Sequence, residues 1–368
     1  MRRLLLVGML LGSSLGQAQE MAAPRVLKEE IKPAEDPRSE LLKVAEARFG
    51  PDSLIYIGEL VHNDIRVFDS RGRFVRNIGR GGAGPGEFRR IRDFGWVADT
   101  LWVVDNVLSR VTFFAPKGRL LRVVPFPPET GEGQRTVGDV MTLAGRVRQR
   151  APVPFGTNAA PLILSLLDGR VIDTLAKLTI DRYLTPVRSA RQRMTLVEPF
   201  MDFPIWDVDS RGRWLAVVER PAPQSSGPKH FAVQVRDLAR GTSRAGSVAY
   251  TPVGLSKAIA DSTLDRYADM ARNDPATLAV IRDALYWPSF LPPIRAVIVN
   301  DSGGLWLERR EGIESGKWIY VDPQGRIGDV ITVPAGYYVR DARGRRLLAV
   351  LAEPDDVQAP VVIYTVVK

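Results

Sequence analysis

Val67 to Phe74 reads VFDSRGRF, and the same arrangement returns along the chain as FFAPKGRL (Phe113 to Leu120), SLLDGRVI (Ser165 to Ile172), QVRDLARGTS (Gln234 to Ser243) and YVDPQGRI (Tyr320 to Ile327). Each copy carries strand-type residues, then usually Asp or Pro, then Gly, often followed by Arg and an apolar residue. This is hairpin chemistry. Asp or Pro opens the turn, and Gly accepts the positive φ that closes it.

A second set of turns alternates with the first: PDSLIYI (Pro51 to Ile57), ADTLWVV (Ala98 to Val104), DSRGRWLAVV (Asp209 to Val218), DSGGLWLE (Asp301 to Glu308) and DARGRRLLAV (Asp341 to Val350). A weaker member, LAGRVRQR, spans Leu143 to Arg150. Each is an acidic or polar turn leading into an apolar strand, three times with a tryptophan (Trp102, Trp214, Trp306). The repeating unit is therefore strand, tight turn, strand, loop, strand, tight turn, strand, with starts near 52, 99, 143, 209, 301 and 341. Four antiparallel strands at a period of about 40 to 50 residues describe a β-propeller blade, and six units predict an all-β, six-bladed ring. The last unit has three strands of its own. Pro24 to Ile31 (PRVLKEEI) is expected to supply its fourth and so close the ring between the two ends of the chain.

The N-terminus stands outside this pattern. MRRLLLVGMLLGSSLGQAQE has two arginines, an apolar run and a small-residue stretch ending at Ala18, the layout of a secretory signal peptide over residues 1–18. Residues 19–43 then form an N-terminal segment containing the closing strand, and 44–368 the propeller. The expected location is periplasmic or extracellular, with no integral membrane span. The chain has no cysteine and only two histidines, His62 and His230. Disulfides, thiolate metal sites and Cys nucleophiles are excluded, as are three-His zinc centres and H-E-x-x-H proteases. The net charge of +9 is mostly arginine spread along the chain, which suits solvated turns better than a nucleic-acid surface.

GRGGAGPGEF (Gly79 to Phe88) invites comparison with a phosphate-binding loop. It has no following Lys-Ser or Lys-Thr, Pro85 removes an amide such a loop would use, and a strand follows instead of a helix. It is expected to connect blade one to blade two. Glu87 would accept amide hydrogen bonds within it, Phe88 would wedge between blades, and Arg80 would lie on the surface as a candidate partner-binding residue.

Taken together, I-R-V-F-D-x-x-G-R-F (Ile65 to Phe74), the connector G-x-G-P-G-E-F (Gly82 to Phe88) and D-x-L-W-V-V-D (Asp99 to Asp105) resemble the six-bladed propellers of the NHL-repeat type, especially an exported bacterial group. The resemblance is strong over Asp64 to Val124 and weaker from there on. It implies the fold and says little about activity, since that class hosts binding modules, lyases and lactonases.

The longer segments all join strands two and three of a blade, or one blade to the next. They are Pro125 to Arg135, Arg150 to Ala160, Thr179 to Phe203, Pro221 to His230 and Thr251 to Pro293. Topology places all of them on one face, which is the expected functional face. The largest, between blades four and five, is predicted to hold a helical hairpin at about 255–287. Ser256 caps a first helix reaching about Arg272; Asp274 and Pro275 start a second that runs to about Tyr286.

Two functions of different class follow. One is a non-catalytic, monomeric binding scaffold that takes a protein, peptide or glycan on the loop-rich face and needs no cofactor. Arg80, Trp287, Tyr337 and Tyr338 are candidates for contact, although the aromatics also suit packing between blades. The other is a calcium-assisted lactonase-, hydrolase- or lyase-like enzyme acting at the axis. Lactonase-like propellers hold a hard cation there through carboxylate and amide oxygens from several blades. Glu59, Asn63, Asp105, Asn106 and Glu308 are the candidate Ca2+ ligands.

Overall fold

A computed structural model describes residues 25–31, 39–126, 136–142, 145–150, 159–179, 184–190, 192–310, 315–351 and 361–367. The expected signal peptide lies outside the described residues, as do 127–135 and 151–158 of the predicted insertions.

After β1 (Arg25–Ile31), the chain builds six four-stranded antiparallel sheets. Blade one is β2 (Val44–Phe49), β3 (Ile55–Glu59), β4 (Asp64–Phe68) and β5 (Phe74–Ile78). The glycine-rich connector contributes a short parallel pair, β6 (Arg80–Gly81) with β7 (Glu87–Phe88). Blade two is β8 (Ile91–Val97), β9 (Thr100–Asp105), β10 (Arg110–Phe114) and β11 (Leu120–Pro125). Blade three is β12 (Thr136–Thr142), β13 (Gly145–Arg150), β14 (Ala159–Ser165) and β15 (Val171–Thr179). A two-stranded hairpin, β16 (Leu184–Arg188) with β17 (Arg193–Val197), precedes blade four, which is β18 (Ile205–Val208), β19 (Trp214–Val218), β20 (Lys229–Asp237) and β21 (Thr242–Tyr250). Helices α1 (Lys257–Asp265) and α2 (Pro275–Ala284) then lead into blade five, made of β22 (Ala296–Val299), β23 (Leu305–Arg310), β24 (Ser315–Val321) and β25 (Ile327–Pro334). Blade six is β26 (Tyr337–Arg343), β27 (Arg346–Leu351) and β28 (Val361–Val367), with β1 as its outermost strand. β1 pairs with β28 along its whole length, from Arg25 opposite Val367 to Ile31 opposite Val361, so the sheet edge of the last blade is covered by the start of the chain.

The turn motifs work as local staples. In blade one, the carboxylate of Asp69 accepts from the Arg71 and Arg73 amides at 2.9 Å and from Arg73 Nε at 2.8 Å. Asp322 repeats this with Gln324, Arg326 and the Arg326 side chain. Gly72 and Gly325 take the positive φ, 77° and 82°, that each turn needs. On the other set of turns, Asp209 accepts from the amides of Arg211, Arg213 and Trp214. The tryptophans read from the repeat are Trp102 and Trp306, both fully buried, and the half-buried Trp214. Trp306 Nε1 also donates to the Gly344 carbonyl of the next blade at 3.1 Å.

The inter-blade insertions gather on the loop-rich face. Ser256 and Asp274 cap the two helices as expected, and Pro275 opens the second. The first helix ends at Asp265, short of the expected Arg272. Residues 266–273 continue mainly as tighter turns, because Tyr267 Oη donates to the Val197 carbonyl at 3.0 Å and Gln192 Nε2 donates to the Met270 carbonyl at 2.8 Å. Tertiary bonds to the β16–β17 hairpin thus take over from helix propagation. One apolar cluster unites the two insertions, Val187 and Leu196 from the hairpin with Leu264, Ala271, Ile281 and Leu285 from the helical segment. The helices therefore pack on a neighbouring insertion. Their buried apolar residues Ile259, Leu264 and Ile281 belong to two clusters that include no inner-strand residue.

The glycine-rich connector is held by bonds within it and from Arg110. Glu87 accepts from the Gly84 amide at 2.8 Å and pairs with Arg80 at 2.7 Å. Arg110 donates to the carbonyls of Ala83, Gly84 and Glu87. Phe88 is fully buried against Ile78 and Phe114 between blades one and two.

Candidate functional site

The inner strands of a propeller face its axis, and here they bring charged groups together. On β2, alternation sends Glu46 and Arg48 to the same side. Arg48 is 7% exposed. It donates through Nη1 to the Arg340 carbonyl at 2.9 Å and through Nη2 to Asp93 at 3.2 Å, with Glu46 at 3.6 Å. Asp341 accepts from the Phe49 amide and Asp207 from the Val299 amide, each at 2.8 Å, so these two carboxylates tie blade six to blade one and blade four to blade five. Glu46, Asp93, Asp207 and Asp341 come from four different blades, and the cation they share is the guanidinium of Arg48.

Burial governs the protons of this cluster. It raises Asp207 to about 8, against the opposing pull of Arg48, and it raises Asp341 and the nearby turn residue Asp209 to about 6. Burial pushes Glu46 up as well, and the surrounding carboxylates hold Arg48 firmly charged. The shift favours the protonated Asp207 carboxyl near neutral pH. On the tight-turn side, the Trp96 amide of blade two donates to the Ser210 carbonyl of blade four at 2.8 Å, a bond across the ring that braces that end of the axis.

The candidate calcium ligands occupy other roles. Glu59 is fully buried and accepts from the amides of Lys43, Val61 and His62. Those bonds hold its carboxyl below the usual range although burial opposes them. Asp105 accepts from four amides, those of Arg89, Arg90, Val107 and Leu108. Asn63 takes a positive φ of 54°, and its buried Oδ1 has no hydrogen-bond partner. Asn106 is exposed beside Asp105. Glu308 binds Arg295 Nε at 2.8 Å. Glu59 and Asp105 thus hold their own loops through backbone amides. Among the described residues, no group of three or more His, Asp or Glu side chains is arranged to hold a metal ion.

A second feature lies on the loop-rich face. Phe200, Met201, Leu291, Pro292, Ile294 and Arg295, with Arg220 beside them, line a small cleft that opens to solvent. Arg220 belongs to the segment after β19, the aromatic wall comes from the approach to β18, and the rest comes from the stretch after α2. At the cleft's edge, Arg295 stacks 5.6 Å from the ring of Tyr338, which Arg340 flanks from 5.5 Å. Phe200 packs 5.7 Å from Trp287. Two of the candidate contact residues, Tyr338 and Trp287, thus lie one residue away from the cleft. Tyr337 packs within blade six under Lys28, and Arg80 is spent on Glu87.

Sequence reasoning did not single out Arg48, Asp207 or Arg220. For Arg48 a faint signal exists: A-E-A-R-F (Ala45 to Phe49) alternates charged and apolar residues, which reads equally well as a solvated strand face. Only the closed ring turns that face inward. Arg220 in V-V-E-R-P has no local signal at all.

Comparison with known proteins supports the ring. A family model described as a 6-bladed β-propeller matches residues 43–118, which span blade one and three strands of blade two. No curated protein matches the chain. Among solved structures, a protein of Bacteroides fragilis described as a candidate exported protein is 12% identical, aligning over 93% of this chain and 96% of its own with a TM-score of 0.51. A member of the duf4221 family from Bacteroides vulgatus is 11% identical over 94% of this chain and 97% of its own, with a TM-score of 0.47. Virginiamycin B lyase from Staphylococcus aureus, solved with quinupristin, is 9% identical over 93% of this chain and all 100% of its own, with a TM-score of 0.43. The likeness to the Bacteroides fragilis protein is, at that identity, one of fold. The chain is an all-β, six-bladed propeller of four-stranded antiparallel blades with two helices inserted before blade five.

Proposed function

We propose that this protein is an exported propeller of the NHL-repeat type that binds and does not catalyse, taking a protein, peptide or glycan partner on its loop-rich face as a monomer. The observation that carries this reading is the identity of the axial cation. Arg48 lies within ion-pair distance of Glu46 and Asp93 and in the field of Asp207 and Asp341, four acidic residues from four blades, so the positive charge that a metal would supply at the axis comes from the chain itself. A permanently charged guanidinium is neither a Lewis acid nor a source of activated water. The loop-rich face supports the binding half of the reading, since it collects the insertions and holds the apolar cleft beside Tyr338 and Trp287.

Melting in calcium and in EDTA tests this. The midpoint is expected to be the same in both, and the chain is expected to open no lactone when calcium is supplied. A metal bound at a hundredfold its dissociation constant would add about 2.7 kcal/mol. A calcium-dependent rise in midpoint, or turnover abolished by EDTA, would overturn the reading.

A further inference from the structure

The cleft between Phe200 and Ile294 contains a charge imbalance. Its edge residue Arg295 is neutralised by Glu308 at 2.8 Å. Arg220 is not neutralised in this way. It is 7% exposed and donates through Nε to the Phe203 carbonyl at 2.8 Å and through Nη1 to the Ile294 carbonyl at 3.0 Å. Both acceptors are neutral, the guanidinium lies 5.5 Å from the Phe203 ring, and among the described residues no hydrogen-bond acceptor is found for Nη2. The carboxylate that acts on it, Asp202, forms no ion pair with it and accepts from the Ala222 amide at 3.2 Å. Burial consequently lowers the Arg220 guanidinium to about 10, with Asp202 opposing only in part. A buried cation without a counter-ion is costly, and the cost is relieved by an anion that reaches it.

The lining restricts what that anion is. Phe200, Met201, Leu291 and Ile294 are apolar, so the anionic group arrives attached to apolar matter. One uncompensated guanidinium calls for one negative charge, and a carboxylate matches its fork. The cleft is small for a ligand site and opens to solvent, which suits the end of a longer chain whose remainder stays outside. We propose that this cleft captures the C-terminal carboxylate of a peptide whose last residue is apolar, with Arg220 as its counter-ion. The proposal rests on the reading of the loop-rich face as a binding surface, and it names what that surface recognises.

Calorimetric titration of the full chain with acetyl-Gly-Ala-Leu as the free acid, as its C-terminal amide, and with octanoate tests it. The free acid is expected to bind at least about tenfold more tightly than the amide, the value of a hydrogen bond to a charged group. Arg220→Gln is expected to bring the acid down to the affinity of the amide, and Arg220→Lys to restore part of the difference. Met201→Trp, which fills the cleft without touching the guanidinium, is expected to remove binding of both peptides while circular dichroism stays native. If Arg220→Gln does not fold, the acid–amide comparison and Met201→Trp decide alone. Equal affinity of acid and amide, acid binding that survives Met201→Trp, or no binding of the acid at millimolar concentration overturns the proposal. Tight binding of octanoate without the peptide also overturns it, because the site then serves small organic acids. Each of these results leaves the loop-rich face open to another partner. Calcium-dependent turnover would sink that broader reading without bearing on the acid–amide comparison.

Discussion

Replacing Asp207 by Asn isolates the proton that the axial cluster holds at neutral pH. Burial raises the Asp207 carboxyl from 3.8 to about 8 in the folded chain. An acid raised on folding contributes stability that is fully present below its unfolded value, about 4, and is lost as pH rises through the folded value, about 8. Over each pH unit in which the folded state holds one extra proton, stability changes by about 1.4 kcal/mol. Between pH 6 and pH 8 the native chain should therefore lose about 2 kcal/mol through Asp207 alone, the curve flattening as the group ionises. Asn keeps an oxygen for the Val299 amide, which Asp207 accepts at 2.8 Å, and it cannot ionise. The variant should match the native chain near pH 6 and exceed it by about 2 kcal/mol at pH 8. Asp341 and Asp209, raised to about 6 by burial, titrate lower in the window and are common to both chains, so they largely cancel in the difference. The assay is urea unfolding at pH 6, 7 and 8, followed in parallel by tryptophan fluorescence and circular dichroism, with coincident transitions required before free energies are compared. Parallel pH profiles for the two proteins would refute the argument, since they would mean that Asp207 is already ionised at pH 6.

Two further outcomes test the connector and the ring. Gly79→Ala places a Cβ 2.3 Å from Cε2 of the buried Phe88 at a φ of 77°, and should cost about 2 kcal/mol or more in urea unfolding, whereas Gly241→Ala, at a φ of 70° with nothing within 4 Å, should cost about 1 kcal/mol; equal costs would count against a packing role for Gly79. Removing residues up to Ile31 strips β28 of its outer partner along seven residue pairs and should lower the melting midpoint and produce association on size-exclusion chromatography, while an unchanged, monomeric profile would show that β1 does not close the ring.

The blades were legible in the sequence because their signals are local. An aspartate that accepts from amides two and four residues ahead, and then from the arginine side chain there, encodes its turn within five residues; Asp69 and Asp322 both do so. Repetition of that unit set the count of blades, and the shortage of one strand at the end pointed to Pro24–Ile31 as the closing partner. The same locality explains the helix caps at Ser256 and Asp274. It also explains where the reading stopped short. Nothing within residues 266–273 ends the first helix early; the cause is the β16–β17 hairpin, some seventy residues upstream, through Val197 and Gln192.

The charged centre was illegible for a stronger form of that reason. Arg48 meets the Arg340 carbonyl across 292 residues of sequence and Asp93 across 45. No periodicity within either strand carries that information, since a charged residue on an alternating strand reads as solvent-facing until the ring closes and turns the face inward. For the candidate calcium ligands residue type is ambiguous in another way. Asp, Asn and Glu near the loop-rich face suit a cation and a turn alike, and here Asp105 accepts from four amides and Glu59 from three. A carboxylate already saturated by amides has little to gain from a cation. In this fold, then, the acidic residues that appear most ligand-like in sequence hold loops, and the chemistry that sequence does not announce lies with arginines. Arg48 answers to four carboxylates and completes its own site. Arg220 forms no ion pair and feels only the partial pull of Asp202, and that asymmetry separates a structural cation from one that still has a partner to take.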